Sequence, residues 1–434
     1  MGIFRLTEAV DGATERPSPA AASHPWMGPK AAAARATDSS WRRVAAQAAG
    51  LWLATRLALA AFTYFAVLFH KGLTGAVSTP LSPAALFASW LQWDADWYLS
   101  IARHGYNQAQ ATAFFPLYPM LVHAAAFLTG GKWVPAGLLV ANLGTLGGFI
   151  GLALLATYEA GTERSGWFAV RMAAAYPLAF FLAAPYTEGP FLAFAAFALL
   201  FARWARWPWA AGCIFLATLT RPTGVILVAP LLYEYGRQLG WWRRATWRVA
   251  DWRHMLDPRR LGEIAALVVA APAALGAYML FLLARFGDPL LFLHAEEKYW
   301  KHTSVTAVAA SATPDTLARA AQSVALTFEQ ARSLVELGAL AFFILLTVAM
   351  VRRLPALYLL YMVGLLLLCV SAPRPDRLGI FVSAGRYLCV AIPAFLLLGR
   401  WAERRPWLDM LLVSGGFLLQ AVFAAFFLAG GWMV

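Results

Sequence analysis

Acids set among aromatics are the first candidates for chemistry in this chain. The run Trp93-Asp94-Ala95-Asp96-Trp97-Tyr98-Leu99-Ser100-Ile101-Ala102-Arg103-His104-Gly105-Tyr106 follows the first long apolar stretch. A carboxylate at a membrane face can take a proton from a hydroxyl when neighbouring groups fix its position. A helix over 90–103 places Trp90, Asp94, Trp97, Tyr98 and Ile101 on one face, at three- and four-residue spacing. Asp96 then lies about 200° round the helix from Asp94. The two are therefore not a close carboxylate pair of the glycosidase kind, and one acid is expected to point into a site while the other meets water. The competing reading is an interfacial helix whose Trp and Tyr anchor at headgroup level.

Other polar groups collect on the same expected face from distant positions. Pro185-Tyr186-Thr187-Glu188-Gly189-Pro190 sets one acid between two apolar runs, and Arg221-Pro222-Thr223-Gly224 sets one cation in a break. Ionisable groups at such depths are costly and tend to face a cavity; taken singly, each also reads as a capped hairpin or a snorkelling kink. Ser383-Ala384-Gly385-Arg386-Tyr387 puts Arg386 in a helix's first turn, where the dipole disfavours a cation and a nearby anion such as a phosphate would relieve it. A further stretch, Gly287-Asp288-Pro289 through His294 to Lys298-Tyr299-Trp300, adds a second set of charges. His104, His123, His294 and His302 lack ligand spacing, so no metal site is expected.

What must position these residues is a membrane bundle. Hydrophobic residues make up 61% of the 434 and charged ones 13%, well under the charge of soluble domains. Apolar runs near 44–69, 133–157, 166–184, 188–204, 208–220, 223–236, 263–285, 333–351, 355–372, 380–399 and 407–430 predict an all-α polytopic membrane protein of about eleven transmembrane helices. The arginine clusters at 42–43, 203 with 206, 352–353, and 400 with 404–405, together with the seven arginines of 237–260, read as cytoplasmic. That orientation gives two long outer loops, 70–132 and 286–332, a cytoplasmic basic loop 237–262, and a cytoplasmic N-terminus. Residues 114–130, opening Phe-Phe-Pro-Leu-Tyr-Pro, are expected to be re-entrant or surface-lying, since two prolines remove backbone donors. The rival arrangement makes 114–130 a full crossing and fuses 208–236 into one helix.

Residues 1–40, rich in Ala, Pro and Ser, read as a disordered cytoplasmic tail ahead of one transmembrane domain, 41–434. The net charge of +13 sits in short segments between apolar runs, which argues for membrane lipid contact rather than nucleic acid. Cys213, Cys369 and Cys389 fall in apolar runs with no motif spacing and read as core residues. Neither Asn107 nor Asn142 lies in a glycosylation sequon, which leans towards a prokaryotic plasma membrane.

The segments 93–106 and Ala-Phe-Phe-Pro-Leu-Tyr-Pro (113–119) resemble the opening signature of the PIG-V mannosyltransferases, membrane glycosyltransferases of the GT-C class. Further similarities follow in family order: Ala184-Pro185-Tyr186-Thr187-Glu188, Thr220-Arg221-Pro222-Thr223-Gly224, Gly-Asp-Pro-Leu at 287–290, and Gly385-Arg386-Tyr387 with Pro393. They span the chain from about 44 to 400.

The resemblance implies a GT-C bundle that moves mannose, or a related hexose, from a polyprenyl-phosphate donor to a lipid or glycan hydroxyl on the outer face, with inversion and without a cofactor. Asp94 matches the Trp-Asp motif and becomes the expected catalytic base; Asp96 lies where relatives carry other residues. Arg386, with Arg221 or Lys298, is expected to meet the donor phosphate. Asp96, Trp97, Tyr98, His104, Tyr106, Phe115, Tyr118, Tyr186, Glu188, Trp300 and Tyr387 complete the expected substrate contacts. Two other classes stay open: an ion-coupled lipid or polyol transporter using Asp94, Glu188 and Arg221, and a non-catalytic accessory subunit. The absence of any visible internal repeat weighs against the transporter.

Overall fold

The computed structural model describes residues 38–75, 80–241, 257–300, 328–371 and 383–431. Residues 1–37 of the expected tail, the centre of the basic loop and most of the second outer loop lie outside the described residues.

All regular structure among the described residues is helical. In chain order the helices are α1 (Asp38–Leu73), α2 (Pro83–Ala88), α3 (Asp94–His104), α4 (Leu117–Ala126), α5 (Trp133–Ala160), α6 (Glu163–Ala174), α7 (Glu188–Arg203), α8 (Trp207–Thr220), α9 (Val228–Gln238), α10 (Pro258–Phe286), α11 (Leu291–Trp300), α12 (Phe328–Met350), α13 (Ala356–Ser371), α14 (Ala384–Tyr387), α15 (Ile392–Arg404) and α16 (Pro406–Leu428). Four of them, α1, α5, α10 and α16, are long and apolar enough to cross a bilayer. With their exposed Leu, Val and Phe side chains, they mark an integral membrane protein.

Two of the eleven expected helices are interrupted among the described residues. The expected helix over 166–184 stops at Ala174, ahead of Pro177, and resumes as a 3-10 turn, Ala179–Leu182. The expected 380–399 is split into α14, a turn Leu388–Val390, and α15. Pro393, in the first turn of α15, cannot donate to the carbonyl four residues back and would clash with it, so no helix runs through. Residues 114–130 hold only the ten-residue α4, about 15 Å long and half a bilayer. Its Pro119 sits in the first turn, where a missing donor costs nothing.

Ion pairs at both ends of α7 trace the chain. Arg221 pairs with Glu188 at the start of α7, and Glu234 pairs with Arg203 at its end. The chain therefore runs along α8, turns at Arg221, and comes back through the 3-10 turn Pro222–Leu227 and α9. A single helix over 208–236 is excluded.

Arg203 is no loop residue. It is 4% exposed, bonded through Nε and Nη2 to Glu159 and through Nη1 to Glu234 at 2.6 Å. Arg237 and Gln238 also bond Glu234, and Tyr358 donates to Glu159. Every charge in this knot has a partner, which is what allows burial.

Small residues bring α5 and α7 into backbone contact. A Cβ on Gly144 would stand 2.4 Å from the Pro190 nitrogen, and one on Gly189 2.3 Å from the Ala141 carbonyl oxygen. Such seams replace the hydrophobic drive that lipid does not provide between helices. Asn142 and Thr145, on the same stretch of α5, donate to the carbonyls of Ala183 and Leu182. They satisfy the unwound backbone just ahead of Glu188.

Candidate active site

Asp94 opens α3, after Trp93 at φ 51°, a conformation rare for a side-chain-bearing residue. The expected helix over 90–103 thus begins four residues late. Tyr186 donates to the Gln92 carbonyl at 2.8 Å and fixes this turn, while Trp90 leaves the helix face and packs near Phe427. Strained residues of this type cost about 1–3 kcal/mol and concentrate at functional sites. In the first helical turn, the Asp94 carboxylate also lies at the favourable end of the dipole.

Arg386 reaches it from the far end of the chain. Nη1 of Arg386 donates to Oδ2 of Asp94 at 2.7 Å, and Nε lies 3.1 Å from Glu188 Oε1 without hydrogen-bond alignment. Arg221 Nη1 donates to the same Glu188 oxygen at 2.8 Å. Two acids and two guanidiniums thus form one line, Asp94, Arg386, Glu188, Arg221, with side-chain exposures of 16, 10, 1 and 12%. Aromatic faces enclose it. Arg386 lies over the rings of Tyr186, Tyr387 and Phe181, and Arg221 over Tyr387 at 4.6 Å, adding cation–π attraction. Tyr98 Oη stands 3.5 Å from Thr187 Oγ1, beside Glu188.

Not every polar atom of this cluster is paired. Glu188 Oε2 is buried and accepts no hydrogen bond, and Arg386 Nε donates none. Oδ1 of Asp94 has no hydrogen bond among the described residues.

The structure brings Asp94, Tyr98, Tyr186, Glu188, Arg221, Arg386 and Tyr387 together. Others belong to a second core or to the surface. Tyr106 donates to the Phe114 carbonyl and Tyr118 to that of Gly137, in a second core that holds Phe115, Tyr278 and also Tyr98. Tyr118 stands edge-on to Tyr98 at 5.1 Å, next to the cluster, whereas Tyr106 and Phe115 pack on Tyr278. Trp97 stacks on Phe114; Asp96 and His104 are exposed. Lys298 is exposed, its cation 5.3 Å over the neighbouring Tyr299 ring. The side chain of Trp300 and the whole of His302 lie outside the described residues. On the adjoining turn, the His294 ring nitrogen bonds Asp288 at 2.7 Å and holds its carboxyl below the usual range.

One acid was missed. Glu336, in α12, is 3% exposed and accepts from the backbone nitrogens of Ser383 and Gly385. The signal was there: a lone acid in an apolar run is a functional hypothesis in itself. No group of three His, Cys, Asp or Glu side chains suited to a metal occurs among the described residues. An open pocket of about 420 Å³ between Arg206, Trp209, Arg259 and Glu263 contains none of the clustered groups.

Fold and site together define an all-helical integral membrane protein with a charge-balanced acid and arginine cluster sunk among aromatics. No family model and no curated protein matches the sequence. Among solved structures, the archaeal oligosaccharyltransferase AglB from Archaeoglobus fulgidus, in complex with an inhibitory peptide and a dolichol-phosphate, aligns with a TM-score of 0.37 and 12% identity. The alignment covers 80% of this chain and 54% of that one, so the chain spans about half of AglB's length. A TM-score of that size is too low to establish a common fold.

Proposed function

We propose that the protein is a membrane glycosyltransferase of the GT-C class that moves mannose, or a related hexose, from a polyprenyl-phosphate donor to a hydroxyl of a lipid or glycan. The observation that carries this reading is the Asp94–Arg386–Glu188–Arg221 line, assembled from four of the six segments that resemble the PIG-V pattern. The cluster lies at one end of the bundle: Phe427, at the last turn of the 23-residue α16, packs on Tyr186. The Arg203 knot and Arg404 to Arg405 lie at the other ends of their helices. By the positive-inside rule that other end is cytoplasmic and the cluster faces outward. A site at one membrane face suits an enzyme; a transporter needs its charges near the midplane with access to both sides.

In the reaction, the acceptor oxygen attacks the anomeric carbon opposite the phosphate. The bond from that carbon to the phosphate oxygen breaks, its electron pair leaves with the phosphate, and the sugar inverts. Asp94 takes the hydroxyl proton through Oδ1. Arg386 and Arg221 balance the charge gathering on the departing phosphate, and Glu188 Oε2 accepts from a sugar hydroxyl. Lys298 has no part in this assignment. Holding both amphiphiles in line lowers the barrier with no metal or other cofactor.

Protein purified with native lipid is incubated with radiolabelled polyprenyl-phosphate mannose and a membrane-lipid extract in chelator, as wild type and as Asp94→Asn. Label should enter a new lipid or glycan with wild type only. Strict dependence on Mg²⁺ or Mn²⁺ would contradict the mechanism, and equal transfer by both proteins would return the chain to the transporter or accessory-subunit readings.

A further inference from the structure

We infer that Glu336 is a positioning residue that sets the Arg386 guanidinium through the backbone of the segment carrying it; this rests on the reading of Arg386 as a ligand of the donor phosphate. Glu336 belongs to α12, whose neighbouring Leu334 and Leu337 are exposed on the apolar surface while Glu336 turns inward and is buried. A carboxylate in such a helix is costly to keep and needs strong partners. Two backbone donors hold it: Ser383 N at 3.1 Å to Oε1 and Gly385 N at 2.6 Å to Oε2.

The local backbone is shaped for that grip. Ser383 stands at φ 68°, a left-handed conformation that turns successive N–H groups towards one point, as in anion-binding nests. The first amides of α14 have no carbonyl of their own helix to bond, so the carboxylate supplies the missing acceptors. The expectation that Arg386 lies at the positive end of a long helix does not hold, since its helix is the four-residue α14. Tyr176 adds a third tie, donating to the Gly385 carbonyl at 2.8 Å. Glu336 and Tyr176 are 160 positions apart in sequence and both hold the 383–385 backbone. Arg386 is the next residue, so its reach to Asp94 and Glu188 is fixed by ties that touch neither of them. A shift of about 1 Å in such a support can cost on the order of a hundredfold in rate.

The test compares wild type, Glu336→Gln and Tyr176→Phe in lipid nanodiscs by peptide-resolved amide exchange, melting temperature and transfer kinetics. Glu336→Gln keeps shape but offers one acceptor where two are needed. Exchange over 383–387 should rise roughly tenfold, as for one lost charge-assisted hydrogen bond, with peptides of α5 and α10 unchanged. KM for the polyprenyl-phosphate donor should rise about five- to tenfold with the acceptor KM unmoved. Tyr176→Phe, which leaves all charges in place, should shift the same two readouts in the same direction by less, and it decides the matter if the glutamine variant does not fold. Unchanged exchange at 383–387, a rise spread over the whole chain, or a local rise with no change in donor KM would each overturn the assignment. Amide exchange needs no activity: a local rise in a protein that transfers no sugar would uphold the tether and sink the glycosyltransferase reading.

Discussion

Asp94 Oδ2 and Arg386 Nη1 lie 2.7 Å apart, although 292 residues separate them in sequence. The proposed base and the proposed phosphate ligand are thus partners of each other, and a donor phosphate must share Arg386 with Asp94. Replacing Asp94 by Asn removes the competing charge. Transfer should fall by about 10²–10⁴, the usual contribution of a general base, while polyprenyl phosphate without a sugar should bind severalfold more tightly. Titration of nanodisc-embedded protein reads this directly, and unchanged or weaker binding would show that the two acids do not compete.

Glu188 is the common carboxylate of both guanidiniums, accepting from Arg221 at 2.8 Å and facing Arg386 Nε at 3.1 Å. Removing it leaves two buried cations with one acid between them. Glu188→Ala should cost about 3–5 kcal/mol of stability, the range for a broken buried pair. The double variant Glu188→Gln with Arg221→Met should lose less than the two single losses added together, since each single change strands its partner. Melting curves of wild type, Glu188→Ala, the two single variants of the cycle and the double variant in one detergent suffice, and strict additivity in the cycle would mean that the pair is not coupled.

The reading of the sequence located most of these groups because polar residues in an apolar chain are few. Glu188 and Arg221 stood out as single charges between long apolar runs, and their pairing follows from two helix ends meeting. The aromatic residues were harder. Tyr106 and Phe115 belong to the same opening signature as Asp94, yet they pack on Tyr278 in the second core. Sequence spacing does not distinguish a ring that lines a site from one that supports it. Glu336 escapes a reading by motif because it belongs to none, and the donors it takes from Ser383 and Gly385 are backbone amides, which carry no side-chain signature. The breaks at Pro177 and Pro393 were visible as prolines but were absorbed into longer apolar runs, since hydropathy does not record where a helix stops.

Arg203 tests the other end of the bundle. Its guanidinium holds Glu159 and Glu234 together at 4% exposure, so Arg203→Met leaves two buried carboxylates facing each other. A loss of about 3–5 kcal/mol is expected, with KM for the donor unaltered in the protein that remains folded. A changed donor KM at equal folded fraction would mean that the two ends of α7 communicate.

Gly144 separates packing from chemistry most sharply. A side chain there would meet the Pro190 nitrogen at 2.4 Å and its Cα at 2.7 Å, and a backbone atom cannot rotate away as a side chain tip can. Gly144→Val should therefore push the start of α7 off α5, destabilising by about 1–3 kcal/mol or more. Glu188 lies two residues before Pro190, so the displacement should reach the acid cluster and lower kcat/KM for transfer beyond what the folded fraction explains. Gly212 is the control, because nothing lies within 4 Å of the Cβ it would gain. Gly212→Ala should be neutral or stabilising by about 0.4–1 kcal/mol through the unfolded state, with full activity. Equal behaviour of the two variants would show that the α5–α7 seam does not set the position of Glu188.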